Sequence, residues 1–113
     1  MHDPRPRLRR RLEELISQNA RLDEHLRNAG YRSPDQLEDW MHVTELDEVV
    51  EGLETQTVTT LREIVAALGR LENGNYGRCV SCGEAIEPGR IAVLPETPRC
   101  ITCALEAEPP VMA

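Results

Sequence analysis

The sequence predicts an all-α fold: an antiparallel coiled-coil helical hairpin followed by a small module built around four cysteines. Three observations carry that prediction. Apolar residues recur at alternating steps of four and three over two long stretches, aromatic side chains are scarce, and the cysteines fall as two C-x-x-C pairs in the C-terminal third. Aromatic content is 3% of 113 residues with no Phe, which is poor material for a large globular core. A helical hairpin needs only a seam.

Residues 8–29 place Leu8, Leu12, Leu15, Asn19, Leu22, Leu26 and Ala29 on such a seam. One polar residue, Asn19, stands inside it, in the kind of position that fixes register at some loss of stability. Pro4 or Pro6 can open this helix, and Gly30 stands where a terminal glycine would close it. The spacing therefore predicts one continuous first helix.

Ser33-Pro34-Asp35-Gln36 reads as a fresh helix start, with Ser as N-cap, Pro at the first helical position and Gln completing a capping box. Leu46, Val50, Leu53, Thr57, Leu61, Ile64, Leu68 and Leu71 then step by four and three. The extra four-step from Thr57 to Leu61 should unwind a supercoil locally. The second helix is expected to begin at Ser33 or near Thr44 and to end before Asn73-Gly74-Asn75. Paired against the first it would make a hairpin roughly 40 Å long at 1.5 Å per residue. The domain organisation is then a hairpin over 1–75, with an acidic tip around 30–44, and a C-terminal module with a short tail over 76–113.

The cysteines are Cys79, Cys82, Cys100 and Cys103, with seventeen residues between the pairs. Two knuckles at this separation can bring four thiolates to one tetrahedral ion. The module is accordingly expected to be a four-cysteine zinc finger holding one structural Zn²⁺, closed to water and substrate because sulfur fills every position. Redox-active dithiols are the competing reading, but no βαβ pattern surrounds either pair. A disulfide-bonded secreted module is disfavoured because the first residues hold no apolar h-region. Gly83 directly after Cys82 suits the knuckle turn, Pro88-Gly89 signals a turn, and residues 90–94 offer a short ordered segment. Arg78, Arg90 and Arg99 are placed to offset the net −2 charge of a Zn–thiolate centre. His2, His25 and His42 add no ligand at sensible spacing.

Charge is distributed unevenly around a net −7. Five arginines crowd the first eleven residues, whereas 33–54 carries eight acids and no Lys or Arg. A phosphate backbone would repel that acidic segment. Asp35, Glu38, Asp39, Trp40 and Met41 concentrate carboxylates with the chain's one Trp where the hairpin should reverse. A bulky apolar pair among acids at a protruding end reads as a contact surface. No nucleophile triad, phosphate loop or H-E-x-x-H appears, so a non-enzymatic role is expected. No stretch approaches the roughly 18 consecutive apolar residues of a membrane span, and a cytoplasmic location is expected.

The runs LENGNYGRCVSCGEAI at 71–86, RIAVLP at 90–95 and CITC at 100–103 resemble the signature of the bacterial DksA/TraR family of transcription regulators. Upstream the resemblance rests on the hairpin and on ELDEVVE at 45–51. It implies a transcription regulator that binds RNA polymerase directly, without sequence-specific DNA contact, and inserts its coiled-coil tip through the secondary channel towards the catalytic centre. The family carries two aspartates three residues apart, then an alanine, at the tip. Counting back from Cys79 puts those positions at Gln36, Asp39 and Met41, and a shift by one offers Asp35 and Glu38. Basic residues that help the family form a ppGpp site map to Glu63, Leu94 and Ala104, so the resemblance does not extend to ppGpp dependence. Two other functions fit the composition less well: a zinc-ribbon nucleic-acid-binding protein using the N-terminal arginines, and a structural coiled-coil adaptor dimerising through its seam. The hairpin reading expects a monomer.

Overall fold

The structure, a computed structural model, describes residues 3–28, 30 and 50–107. Those residues are mostly helical and contain no β-strand. Helix α1 spans Arg5–Gln18, α2 Ala20–Asn28, α3 Thr55–Asn73, α4 Pro88–Val93 and α5 Ile101–Ala107. The tip residues Asp35, Glu38, Asp39, Trp40 and Met41 lie outside the described residues, as do Ala29, the 33–36 capping box, Leu46 and the 108–113 tail.

Proline opens α1 at its first turn, as expected, with Leu8 N–H bonding the Pro4 carbonyl at 3.0 Å. The predicted single helix over 8–29 is, however, two helices. Asn19 breaks them, adopting φ −128° and ψ 92°. Its backbone N–H turns to Ile16 O at 3.2 Å, and its side-chain Nδ2 donates to Leu15 O at 2.7 Å in place of the lost helical donor. The physical reason is the side chain itself, since an Asn amide competes with the backbone for nearby carbonyls. Across the seam Thr57 Oγ1 donates to Asn19 Oδ1 at 3.2 Å, so two polar seam positions satisfy each other.

The expected starts of the second helix, at Ser33 or near Thr44, lie outside the described residues, and α3 itself starts at Thr55. Val50 and Leu53, expected inside the helix, instead form a turn closed by Leu53 N–H to Val50 O at 3.1 Å. Gly52 there sits at φ 84°, a conformation that stops a helix from continuing through it. The far end of α3 matches expectation. Gly74 at φ 76° closes it in the left-handed region, and Asn75 N–H reaches back to Arg70 O at 2.8 Å, the paired bonds of a Schellman motif.

Helix α1 packs on α3, and the pair runs in opposite directions. Asn19 near the end of α1 meets Thr57 near the start of α3, while Arg11 and Arg70 both reach the 95–97 segment. Leu8, Leu12, Ile16, Leu22, Leu26, Val50, Leu61, Ile64, Ala67 and Leu68 form one buried cluster. Each such large side chain contributes about 1.5–3 kcal/mol by leaving water. The seam leucines are therefore core, with Leu15 and Leu71 packed at its margin. No helix among the described residues is long and apolar enough to cross a membrane.

Candidate metal centre

Short-range hydrogen bonds shape the first knuckle. Cys79 N–H bonds Glu84 O at 2.8 Å, Gly83 N–H returns to Cys79 O at 2.9 Å, and Ile86 N–H bonds Gly77 O at 2.8 Å. Arg78 and Ala85 form an isolated antiparallel bridge beneath the turn. Gly83 takes φ 78°, as the turn after Cys82 requires, and Gly77 takes φ 86°. Val80 N–H bonds Pro98 O at 2.9 Å, which lays the first knuckle against the approach to the second.

The second pair sits on α5. Pro88 opens α4, so the expected Pro88-Gly89 turn is the first turn of a helix that carries the ordered segment over 90–93. Glu87 Oε1 accepts from Ile101 N–H at 3.1 Å, so the residue before α4 caps α5. Arg90 Nε donates to Arg99 O at 2.9 Å and Arg99 Nε to Ser81 Oγ at 3.0 Å. Arg99 thus ties the approach to the second knuckle to the first, and Arg90 ties that approach to α4.

The result brings Cys79, Cys82, Cys100 and Cys103 into one cluster, their Sγ atoms all within 4.8 Å of one another. All four are free thiols. Cys82 Sγ and Cys100 Sγ are 3.9 Å apart, far beyond a disulfide bond. A tetrahedron with Zn–S bonds near 2.3 Å has S···S edges of about 3.8 Å, so the cluster fits one zinc ion. Cys79, Ile86 and Cys100 are the buried core of this module, with Ile91 and Cys103 packed beside them. Burial works against a charged Cys79 sulfur, yet the backbone N–H groups of Cys100, Cys82 and Ser81 outweigh it and bring that thiol down to about 6. The knuckle amides are thus already turned towards the sulfur that a metal would hold as thiolate.

Sequence reasoning missed the residues that fasten this module to the helices. Arg11 grips the nearly buried Glu96 carboxylate with two bonds, Nε to Oε1 at 3.1 Å and Nη2 to Oε2 at 2.5 Å. Arg7 Nη2 donates to Ala92 O, Tyr76 O–H to Pro95 O at 2.8 Å, and Arg70 Nη2 to Thr97 O at 3.5 Å. The signal that could have found Glu96 is its place between two prolines beside the second knuckle, opposite a helix rich in arginine. His25 bonds Arg21 O through Nδ1 at 2.7 Å, within its own helix.

Glu63, Leu94 and Ala104, which the counting aligned with basic positions, do meet in space. They line one cleft of about 330 Å³ with Arg90, Thr97 and Arg99. Burial, and then the nearby Glu96 charge, raise the Glu63 carboxyl above its ordinary range.

With this geometry in place the class of the module is defined: a four-cysteine zinc finger docked on a helical pair. Residues 74–109 match the family model described as the prokaryotic dksA/traR C4-type zinc finger, so the C-terminal module is a zinc finger of that family. The chain is also similar to an uncharacterized protein of Aquifex aeolicus (strain VF5), 39% identical over 77 residues. That match covers 68% of this chain and 53% of the Aquifex protein, so the chain aligns with about half of its relative's length. No solved structure matches the chain.

Proposed function

We propose that this protein is a transcription regulator that acts on RNA polymerase itself and not on promoter DNA. The observation that carries the reading is the C4 zinc finger of the DksA/TraR family at residues 74–109, joined directly to the helix α3. In this reading the hairpin extends beyond α2 and α3 as an antiparallel coiled coil, and its acidic tip enters the polymerase secondary channel. Asp35, Glu38 and Asp39 supply negative charge there, with Trp40 and Met41 as apolar contacts. Carboxylates delivered near the catalytic Mg²⁺ and its mobile surroundings alter the lifetime of the open promoter complex. The role is non-catalytic and cytoplasmic, and one chain acts per polymerase.

Zinc in this reading is structural. Cys79, Cys82, Cys100 and Cys103 hold it, and its bonds fold the module that braces the base of the hairpin. The chain's own residues do the rest: Arg11 and Tyr76 set the module on the helices, leaving exposed Arg10 available to a partner surface.

The test is capture of purified core RNA polymerase by the zinc-loaded chain, competed by a known secondary-channel factor. Capture that the competitor abolishes is the expected result. Asp39→Asn with Glu38→Gln should then preserve capture and remove the effect on promoter-complex lifetime. No capture by the wild-type chain would defeat the proposal.

A further inference from the structure

Among the described residues the large apolar side chains left exposed are Val80, Val93, Leu94, Ile101 and Leu105, and all of them belong to the zinc-finger module. Scattered singly they would call for no explanation. Four of them instead gather at the end of α4 and along α5, where Ile101 and Leu105 stand one helical turn apart. Val93, Leu94 and Ile101 line a hollow of about 360 Å³ there. A second hollow, of about 170 Å³, shares Val93 and is walled by Arg7, Arg10, Arg11, Glu14 and Pro95. The Glu63 cleft adjoins on the other side through Arg90 and Leu94. The three make one trough with an apolar middle and charged ends.

The two ends differ in charge. At the Val93 end Arg11 is taken by Glu96, Arg7 bonds the neutral Ala92 carbonyl, and Arg10 makes no hydrogen bond or ion pair among the described residues. Glu14 is the one carboxylate lining that hollow, so it keeps a positive excess on a chain of net charge −7. At the other end the half-buried Glu63 carboxylate has no hydrogen bond or ion pair among the described residues.

Those charges and the local architecture narrow the occupant. A nucleic-acid backbone or an anionic lipid surface would meet Glu14, Glu87 and Glu63 along the length of the trough. An extended peptide has no sheet edge to join, since the described residues contain no β-strand. A helix fits, with apolar side chains three and four residues apart in the middle and a carboxylate meeting arginine at one end.

We propose that this trough docks an acidic amphipathic helix of a protein partner, its apolar side chains against Val93, Leu94 and Ile101 and a carboxylate on Arg7 and Arg10. The end of that helix nearest Glu63 carries no acid, because like charges would repel there. The surface lies on the finger, and the inference stands whether or not the chain acts on polymerase.

The probe is a fluorescein-labelled synthetic peptide of about 14 residues, roughly 21 Å long as a helix, with leucines on one face and glutamates in its first turn only. Its binding to the full zinc-loaded chain is read by anisotropy and compared with that of the same peptide carrying lysines in place of the glutamates. The glutamate peptide should bind about fivefold more tightly or better. Arg10→Glu should invert that preference, and Val93→Ser should weaken both peptides. Arg10 and Val93 are exposed, so neither change threatens the fold. No binding, equal affinity for the two peptides, or a preference that Arg10→Glu leaves unchanged would overturn the proposal. So would a dimer in sedimentation that Val93→Ser dissolves, which gives the trough to a second copy, or peptide binding that emerges only once 108–113 is removed, which gives it to the chain's own tail.

Discussion

Glu63 shows what one misplaced charge does. Its carboxyl lies half-buried in the cleft beside Leu94 and Ala104, and desolvation followed by the Glu96 charge raises its pKa above the ordinary 4.5, with Arg99, Arg70 and Arg90 opposing. An acid whose pKa is higher folded than unfolded binds its proton more tightly in the native state. It therefore carries no penalty well below pH 4.5, and the penalty grows as pH rises through 4.5 and is complete above the folded value. Glu63→Gln should raise the melting temperature at pH 7 and leave it nearly unchanged at pH 4, as read by thermal denaturation of the zinc-loaded protein. Equal effects at both pH values would mean that shape, and not charge, sets the cost. Arg70 nearby is the reverse case, a guanidinium whose pKa burial lowers and whose Nε finds no partner among the described residues. These two groups occupy the ground between α3 and the module, where charge is least well served.

Among the elements, α3 is the most strongly specified by local sequence. It has an apolar stripe of Leu61, Ile64, Ala67 and Leu68 and a glycine stop, and neither depends on distant residues. The stop can be weighed. Gly74 sits at φ 76°, where any side chain is strained although no atom would meet the added Cβ. Gly74→Ala should cost about 1 kcal/mol in a chemical denaturation curve, the strain of the left-handed region without a clash. A cost near zero would show that the last turn of α3 frays freely. The first arm behaves differently. Its heptad pattern places Leu8, Leu12, Leu22 and Leu26 in the core, but it names Leu15 where the structure buries Ile16 and leaves Leu15 at the margin. The same pattern does not reveal the break between them, because periodicity reports which face is apolar and not whether the axis is continuous.

At the scale of the whole molecule, the described chain is two small cores joined by polar fastenings. The helical core is apolar. The module's core of Cys79, Ile86 and Cys100, with Ile91 and Cys103 beside it, is too small to fold without metal. Zinc binding supplies about 10 kcal/mol or more to modules of this kind. Chelation, or Cys79→Ser, should therefore abolish the near-UV signal of Tyr76, which anchors on Pro95 O, while most far-UV helical signal survives. Each thiolate must be freed of its proton before it binds zinc, so apparent affinity should fall as pH falls. Retention of the Tyr76 signal in metal-free protein would contradict the module's need for metal, and a zinc affinity that does not change with pH would contradict binding through thiolates. Exposed Val93 and Leu105, at 75% and 66%, face outward from the same module, so the metal holds a surface as well as a core.

The sequence by itself determined the helical class, the buried faces of the seam, the glycine that ends α3 and the four metal ligands. Each of these is written in spacings of a few residues, or in a ligand chemistry that tolerates one geometry. Tertiary structure decided the Thr57–Asn19 bond across the seam and the Arg11–Glu96 grip between residues 85 positions apart. Those features arise from pairings across the fold, where a side chain's partner is set by packing and not by its neighbours in the chain.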